Sequence, residues 1–262
     1  MKSVVVHASS KPVELDWANQ FAGLDAQVKA QFSAVDFASR STVVSKITGF
    51  TWTDVVAAVT AAAKAAGTGG VVIVVSGHGG AVPGNPDGGV LNWDPTDADV
   101  DLNWDRQKIR KGLFWDDMVA RYLDPIPLGN PPNQKGIDEK NIKEKRGDFQ
   151  ITQKRHEAFE ALDQIGQALR ANGVKRLTFT SCTAGRAPNF LKRLAKICGT
   201  EIACFNQKTR VFNDVNAGAG KSRLILDVDT AREGLAGSSN ILSARVFSPD
   251  LDNSSIAFVA KP

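Results

Sequence analysis

The chain has few cysteines, no long apolar run and no excess of charge of one sign, and each shortage excludes a class of protein. Cys182, Cys198 and Cys204 are the only cysteines in 262 residues. An odd number without a C-x-x-C pair argues against a disulfide framework and a structural zinc site and for a reducing compartment. The longest unbroken β-branched block, Val71 to Val75, falls far short of the roughly 18 residues of a membrane-spanning helix. The N-terminal Met1-Lys2-Ser3-Val4-Val5-Val6-His7 is also too short in apolar residues for a secretory signal, which needs about 7–15 of them. Cytoplasmic residence away from any membrane is therefore expected. Lys and Arg number 32 against 28 Asp and Glu, a mixed surface of net charge +4 rather than the concentrated basic footprint of a nucleic-acid binder. With 42% hydrophobic and 23% charged residues the composition is that of a globular protein able to bury its own core.

What is present is an alternation of short apolar blocks with segments of helical period, the pattern of an α/β fold. Val4-Val5-Val6 predicts a first strand, and Trp17, Phe21, Leu24, Val28, Phe32 and Val35 mark one face of a helix. Val43, Val44 and Ile47 allow a second strand, and Thr53-Asp54 can cap an Ala-rich helix that Gly67, Gly69 and Gly70 stop. Val71 to Val75 lacks polar alternation, as in a parallel strand covered on both faces. Phe159, Leu162, Ile165 and Leu169 predict a helix ending near Asn172-Gly173, with Gly166 a mild weakness inside it. A strand at Leu177 to Thr180, a helix over 187–197 and a strand at Ile202 to Phe205 follow. The blocks at 224–226, 244–247 and 256–259 read as edge or hairpin strands. The expectation is a mainly parallel sheet with helices on both faces, in a single domain over 1–262 with a long insertion at about 80–150.

Within that insertion the pattern dissolves from Gly79 to about Gly112, and Leu91-Asn92-Trp93-Asp94, Leu102-Asn103-Trp104-Asp105 and Leu113-Phe114-Trp115-Asp116 read as tryptophans in strand-and-turn packing. Asp116 to Tyr122 predicts a short helix. The Pro-rich stretch from Pro125 and the charged run Lys135 to Arg146 read as an exposed loop open to proteolytic nicking. Asp97 to Asp101 has the alternating acids of a calcium loop but lacks its glycine and closing glutamate, so no metal is expected. Gly218-Ala219-Gly220-Lys221-Ser222 ends like a phosphate loop, yet Val215 stands where the first glycine belongs, so no nucleotide cofactor is expected either. His7 ends a strand and His156 lies on a helix without a partner pattern. Cys198 and Cys204 read as core residues.

Two strands end in polar turns fit for nucleophilic chemistry: Ser76-Gly77-His78-Gly79-Gly80 and Ser181-Cys182-Thr183-Ala184-Gly185. The carboxyl ends of parallel strands share one edge, so His78 and Cys182 are expected to meet there. A free thiol of pKa about 8.5 is only a few per cent thiolate at neutral pH, which an adjacent imidazole and the N-terminal field of the following helix correct. Cys182 is then the nucleophile and His78 the general acid/base, with the backbone N–H groups of Gly79 and Cys182 as oxyanion donors.

These residues resemble the caspase-like cysteine peptidases, the group of caspases, gingipains, separases and CHAT-domain proteases. Ser76-Gly77-His78-Gly79 is similar to the family's His-Gly after an apolar strand, and Thr180 to Gly185 to its strand-end cysteine. Cys-x-x-Gly is closer to the CHAT and bacterial branches than to caspases proper, whose Q-A-C-x-G is absent. The run Phe190 to Ala195 followed by Gly199 to Ala203 resembles the family's next helix and strand. The dyad positions are about twice as far apart in sequence as in caspases, which the insertion accounts for. The resemblance implies a caspase-like fold and hydrolysis of peptide bonds through a thioester acyl-enzyme, with a protein or peptide substrate and self-processing. An interaction module of that fold without turnover is the alternative. The carboxylates between the dyad members, Asp87, Asp94, Asp97, Asp99, Asp101, Asp105, Asp116 and Asp117, suggest a pocket for Lys or Arg, with Asp87 and Asp94 as substrate-binding residues. The Lys- and Arg-rich stretch 135–155 would then be a target for self-cleavage.

Overall fold

The computed structural model describes residues 3–8, 43–46, 51–76, 79–94, 110, 112–123, 134–179, 181, 183–206, 208–213, 222–227 and 257–262. Its centre is a mostly parallel sheet built from β1 (Ser3–Ala8), β2 (Val43–Lys46), β3 (Val71–Ser76), β7 (Arg176–Phe179), β8 (Glu201–Phe205) and β11 (Ala257–Ala260). The order is β11-β8-β7-β3-β1-β2, and only β11 runs antiparallel to its neighbour. The continuous apolar run of β3 has its reason here, because Val72 and Val74 belong to the main core while Ile73, on the opposite side of the pleat, is equally buried. Thr178 and Ala203, in register with Ile73 across β7 and β8, are buried with it.

Three helices cross over between these strands: α1 (Trp52–Ala66), α4 (Phe149–Ala171) and α5 (Pro188–Cys198). Each connects a strand to a parallel one further along the same direction of the sheet, and right-handed crossover then puts all three on one face. They pack in that order, α1 on α4 and α4 on α5. The connection from β1 to β2 steps the other way, and the helix predicted over 17–35 that belongs to it lies outside the described residues. Thr51, rather than the predicted Thr53-Asp54, caps α1: its hydroxyl accepts the Asp54 N–H at 3.1 Å, placing the side-chain oxygen on the third helical residue as an N-cap does. Gly67, at φ 69°, turns the chain out of α1 as expected. Gly166 proves to be more than a weakness in α4, since a Cβ there would sit 3.0 Å from the Cys198 Cα and hold α5 away.

The segment between β3 and β7 is more regular than its composition suggests. Where the pattern dissolves, β4 (Gly79–Ala81), β5 (Gly89–Asn92) and β6 (Leu113–Trp115) form an antiparallel sheet of their own. It is fastened to the body by aromatic edges: Trp93 meets Phe179 of β7 at 5.2 Å and Phe114 at 5.7 Å, and Phe114 stacks on Trp52. Trp93 and Trp115 are buried in strand packing as expected, whereas Trp104 lies outside the described residues. The predicted short helix is α2 (Asp116–Leu123).

The loop expected over the charged run is a helix, α3 (Gln134–Glu144). It offers little apolar surface, which is why its hydrophobic period is illegible, and it is anchored by a buried ion pair. Asp138 is 0% exposed and receives Arg155 of α4 in a bidentate pair at 2.8 and 3.1 Å. Arg155 also reaches Asp117 of α2 at 3.6 Å. Only Lys145 to Asp148 remains as an exposed turn between α3 and α4, with Lys145 and Gly147 at positive φ. The rest of the Lys- and Arg-rich stretch 135–155 is helical, and Arg155 is enclosed. Near the C-terminus, β10 (Ser222–Asp227) pairs antiparallel with β9 (Lys208–Asn213), which sequence reading missed, and β11 is the predicted edge strand. The block at 244–247 lies outside the described residues. Among the described residues no helix is long and apolar enough to cross a membrane.

Candidate functional site

The strand order reverses between β1 and β3: from β1 the chain moves outward to β2, and from β2 it returns past β1 to β3. In open α/β sheets ligands bind outside the carboxyl ends of the strands at such a switch point. The turn containing His78 leaves β3 at that edge, and the turn containing Cys182 leaves its neighbour β7 at the same edge. His78 and Cys182 themselves lie outside the described residues, and the residues described are those that adjoin them.

Those residues touch. A Cβ built on Gly79 would fall 2.5 Å from the Cβ of Ser181, which is fully buried. The residue after His78 and the residue before Cys182 thus pack so closely that only glycine fits at 79. The elements that follow are clamped as well. The Asn189 N–H, in the first turn of α5, donates to the Pro86 carbonyl at 3.0 Å, and Arg193 pairs with Asp87 at 2.9 Å. Gly89 of β5 has the Phe190 ring where a side chain would be, 2.1 Å from its notional Cβ. The hairpin that follows His78 is in this way latched to the helix that follows Cys182.

The backbone on the far side of Cys182 is unusual. Thr183 adopts φ 51° and ψ −2°, a left-handed conformation that a β-branched residue takes only when its surroundings enforce it. A single 3₁₀ turn (Ala184–Arg186) then leads to α5, with Pro188 in the first helical turn. Gly185, the glycine of Cys-x-x-Gly, lies against the end of β8, its notional Cβ 2.6 Å from the Cys204 carbonyl. Arg186 secures the same junction by donating to the Asn206 carbonyl.

The Gly79 N–H is oriented by the pairing of β4 with β5. Val82 N–H donates to the Gly88 carbonyl, so the hydrogen-bonded positions of this ladder are 82 with 88 and 80 with 90. Gly79, opposite Leu91, occupies a non-hydrogen-bonded position, and its N–H points away from β5. The β4–β5 ladder therefore does not use the N–H expected as an oxyanion donor.

The other two thiols are inert by environment. Cys198 and Cys204 are each 1% exposed, and burial pushes Cys198 up to about 12 and Cys204 well above the usual thiol range. The expectation that they are core residues is met.

The acidic residues are less favourable to a pocket for a cation. Asp87 is occupied by Arg193 and Asp117 by Arg121 at 2.8 Å and Arg155, while the Asp94 N–H closes a turn on the Asn92 side chain at 2.9 Å. Asp97, Asp99, Asp101 and Asp105 lie outside the described residues. His7, near the end of β1 as expected, is aligned with Val75 of β3 and Lys46 of β2. Ser222 opens β10, and Gly218 to Lys221 lie outside the described residues. Among the described residues no cluster of His, Cys, Asp and Glu could hold a metal.

Sequence reasoning missed Thr183, Arg186 and Arg193. Nothing in one sequence marks a threonine as left-handed. The Arg193 and Asp87 pair spans 106 positions, and only the fold brings it together. Comparison of the chain with known families, with curated proteins and with solved structures finds no match.

Proposed function

We propose that the protein is a caspase-like cysteine endopeptidase in which Cys182 attacks the scissile carbonyl and His78 serves as general acid/base. The observation that carries this reading is the contact between Gly79 and Ser181, which holds together the two chain segments adjoining His78 and Cys182. The chemistry runs in two steps. Cys182 Sγ, as thiolate, forms the thioester while His78 protonates the departing amine. Neutral His78 then takes a proton from water, whose oxygen attacks the thioester and releases the acid. Proton transfer of this kind contributes about 10²–10⁴ in rate, and a Gly79 N–H aimed at the developing oxyanion about 10²–10³ more.

Strain at Thr183 supports the same reading, because backbone held in a sparsely populated region collects at sites where position matters more than stability. Specificity for Lys or Arg, with Asp87 and Asp94 as substrate-binding residues, is retained as a narrower proposal, and Asp87 would have to exchange Arg193 for the substrate cation. The fold assignment, with helices on both faces, belongs to the same proposal, as does cytoplasmic residence.

Cleavage of a mixed peptide library by the full chain, with Cys182→Ala as the blank, tests the activity and reads the specificity together. Cleavage above the blank is expected. Its absence in folded protein, together with an unreactive Cys182, would support a non-catalytic interaction module instead.

A further inference from the structure

The first turns of α1 and the middle of α4 flank an open cleft of about 640 Å³, within the range of about 300–1,000 Å³ that small-molecule sites occupy. Val56, Ala57 and Ala161 supply apolar wall, and Trp52 supplies an aromatic surface. Trp52 is pre-positioned, since its ring lies parallel to that of Phe114 with centroids 5.2 Å apart and planes 6° from coincidence. Among the described residues the ionisable side chains of the lining are His156, Glu157 and Glu160, with no Lys or Arg, and Glu157 also accepts a hydrogen bond from Gln153 at 2.9 Å. In a chain of net charge +4, this cleft therefore presents acidic side chains beside a fixed indole.

We propose that this cleft binds a small organic cation, an amine carried on an apolar or aromatic body. The body lies along Trp52 and Val56, and the ammonium sits by Glu157 and Glu160. Those two residues are one helical turn apart on α4 and share the face that carries Ala161 and Gln164. An indole held by its neighbour loses little freedom on binding and attracts a cation to its ring face, which favours the amine over an uncharged molecule of the same shape. None of the residues that line the cleft belongs to the His78 and Cys182 turns, and the proposal does not depend on their chemistry.

Calorimetric titration of the full chain with 2-phenylethylamine, 2-phenylethanol and phenylacetate is the test. Saturable one-to-one binding of the amine is expected, about tenfold or more tighter than the alcohol and tighter still than the acid, equivalent to about 1.4 kcal/mol or more. The doubly substituted Glu157→Gln, Glu160→Gln protein, at partly exposed helix positions and checked for folding by near-ultraviolet circular dichroism, is expected to bind amine and alcohol alike. Trp52→Leu is expected to weaken all three ligands. Equal binding of amine and alcohol by the unmodified chain, no binding of the amine, or amine binding unchanged in the double variant would each overturn the proposal.

Discussion

Along β1, β3 and α1 the burial is continuous, with valines and alanines filling both sides of the interface between sheet and helix. The β4–β5 hairpin instead meets the body at separate points: Gly79 on Ser181, Gly89 on Phe190, Asp87 on Arg193 and Trp93 on Phe179. In the first region no one side chain determines the arrangement. In the second, each contact fixes the position of the turn that carries His78 relative to the turn that carries Cys182. Damage to the sheet should therefore cost stability broadly, and damage to the hairpin contacts should cost activity out of proportion to stability.

The largest stability effect is expected where the hairpin enters the core. Trp93→Ala removes a fully buried ring from between Phe114 and Phe179 and should destabilise by about 3–5 kcal/mol in denaturant titration. Asp138→Ala leaves Arg155 buried without its bidentate partner and should cost a comparable amount, about 3–5 kcal/mol. It should also free α3, read as faster tryptic cleavage at the Lys145 to Asp148 turn.

Gly79→Ala sharpens the comparison. Its Cβ cannot fit beside Ser181, and the resulting overpacking should cost about 1–3 kcal/mol. Because the turns must separate, the fall in kcat should exceed what the unfolded fraction explains. A proportional fall would place residue 79 with the sheet rather than with the site. Asp87→Asn should be the mildest, under about 1 kcal/mol, since the Asp87 side chain is 45% exposed and solvent screens the pair.

The sheet was legible because burial on both faces writes itself as an unbroken run, as in Val71 to Val75, and helices packed on one side write a period, as in Leu162, Ile165 and Leu169. The hairpin was not, because β4 and β5 are short, rich in glycine and held by contacts with residues about a hundred positions away. Helix α3 escaped for another reason: its anchor is the single carboxylate of Asp138, and an ion pair leaves no hydrophobic period. At the site, the two turns were legible from residue type and strand ends. The reason for their glycines was not, since Gly79 and Gly185 answer to Ser181 and to the Cys204 carbonyl, which only the fold brings near.

The thiols allow one prediction with a defined pH window. Cys198 holds its proton up to about 12 in the folded chain against 9.0 for an unburied thiol, so between these values the folded state binds more protons than the unfolded one. Stability is then fully present below about 9 and falls as pH rises, by about 1.4 kcal/mol per pH unit for this group. Comparison of Cys198→Ala with the unmodified chain across that window should show the variant losing stability less steeply. Parallel slopes would mean that Cys198 is not buried as described.

The most direct measurement is the rate of Cys182 alkylation by iodoacetamide as a function of pH, in the unmodified chain and in His78→Gln. In native protein Cys198 and Cys204 should stay unlabelled, which peptide mapping verifies. The account predicts that Cys182 reacts as a thiolate already well below the ordinary thiol pKa of about 8.5, and that His78→Gln moves its profile back towards that value. An ordinary thiol profile for Cys182, identical in the two proteins, would contradict the pairing of His78 with Cys182.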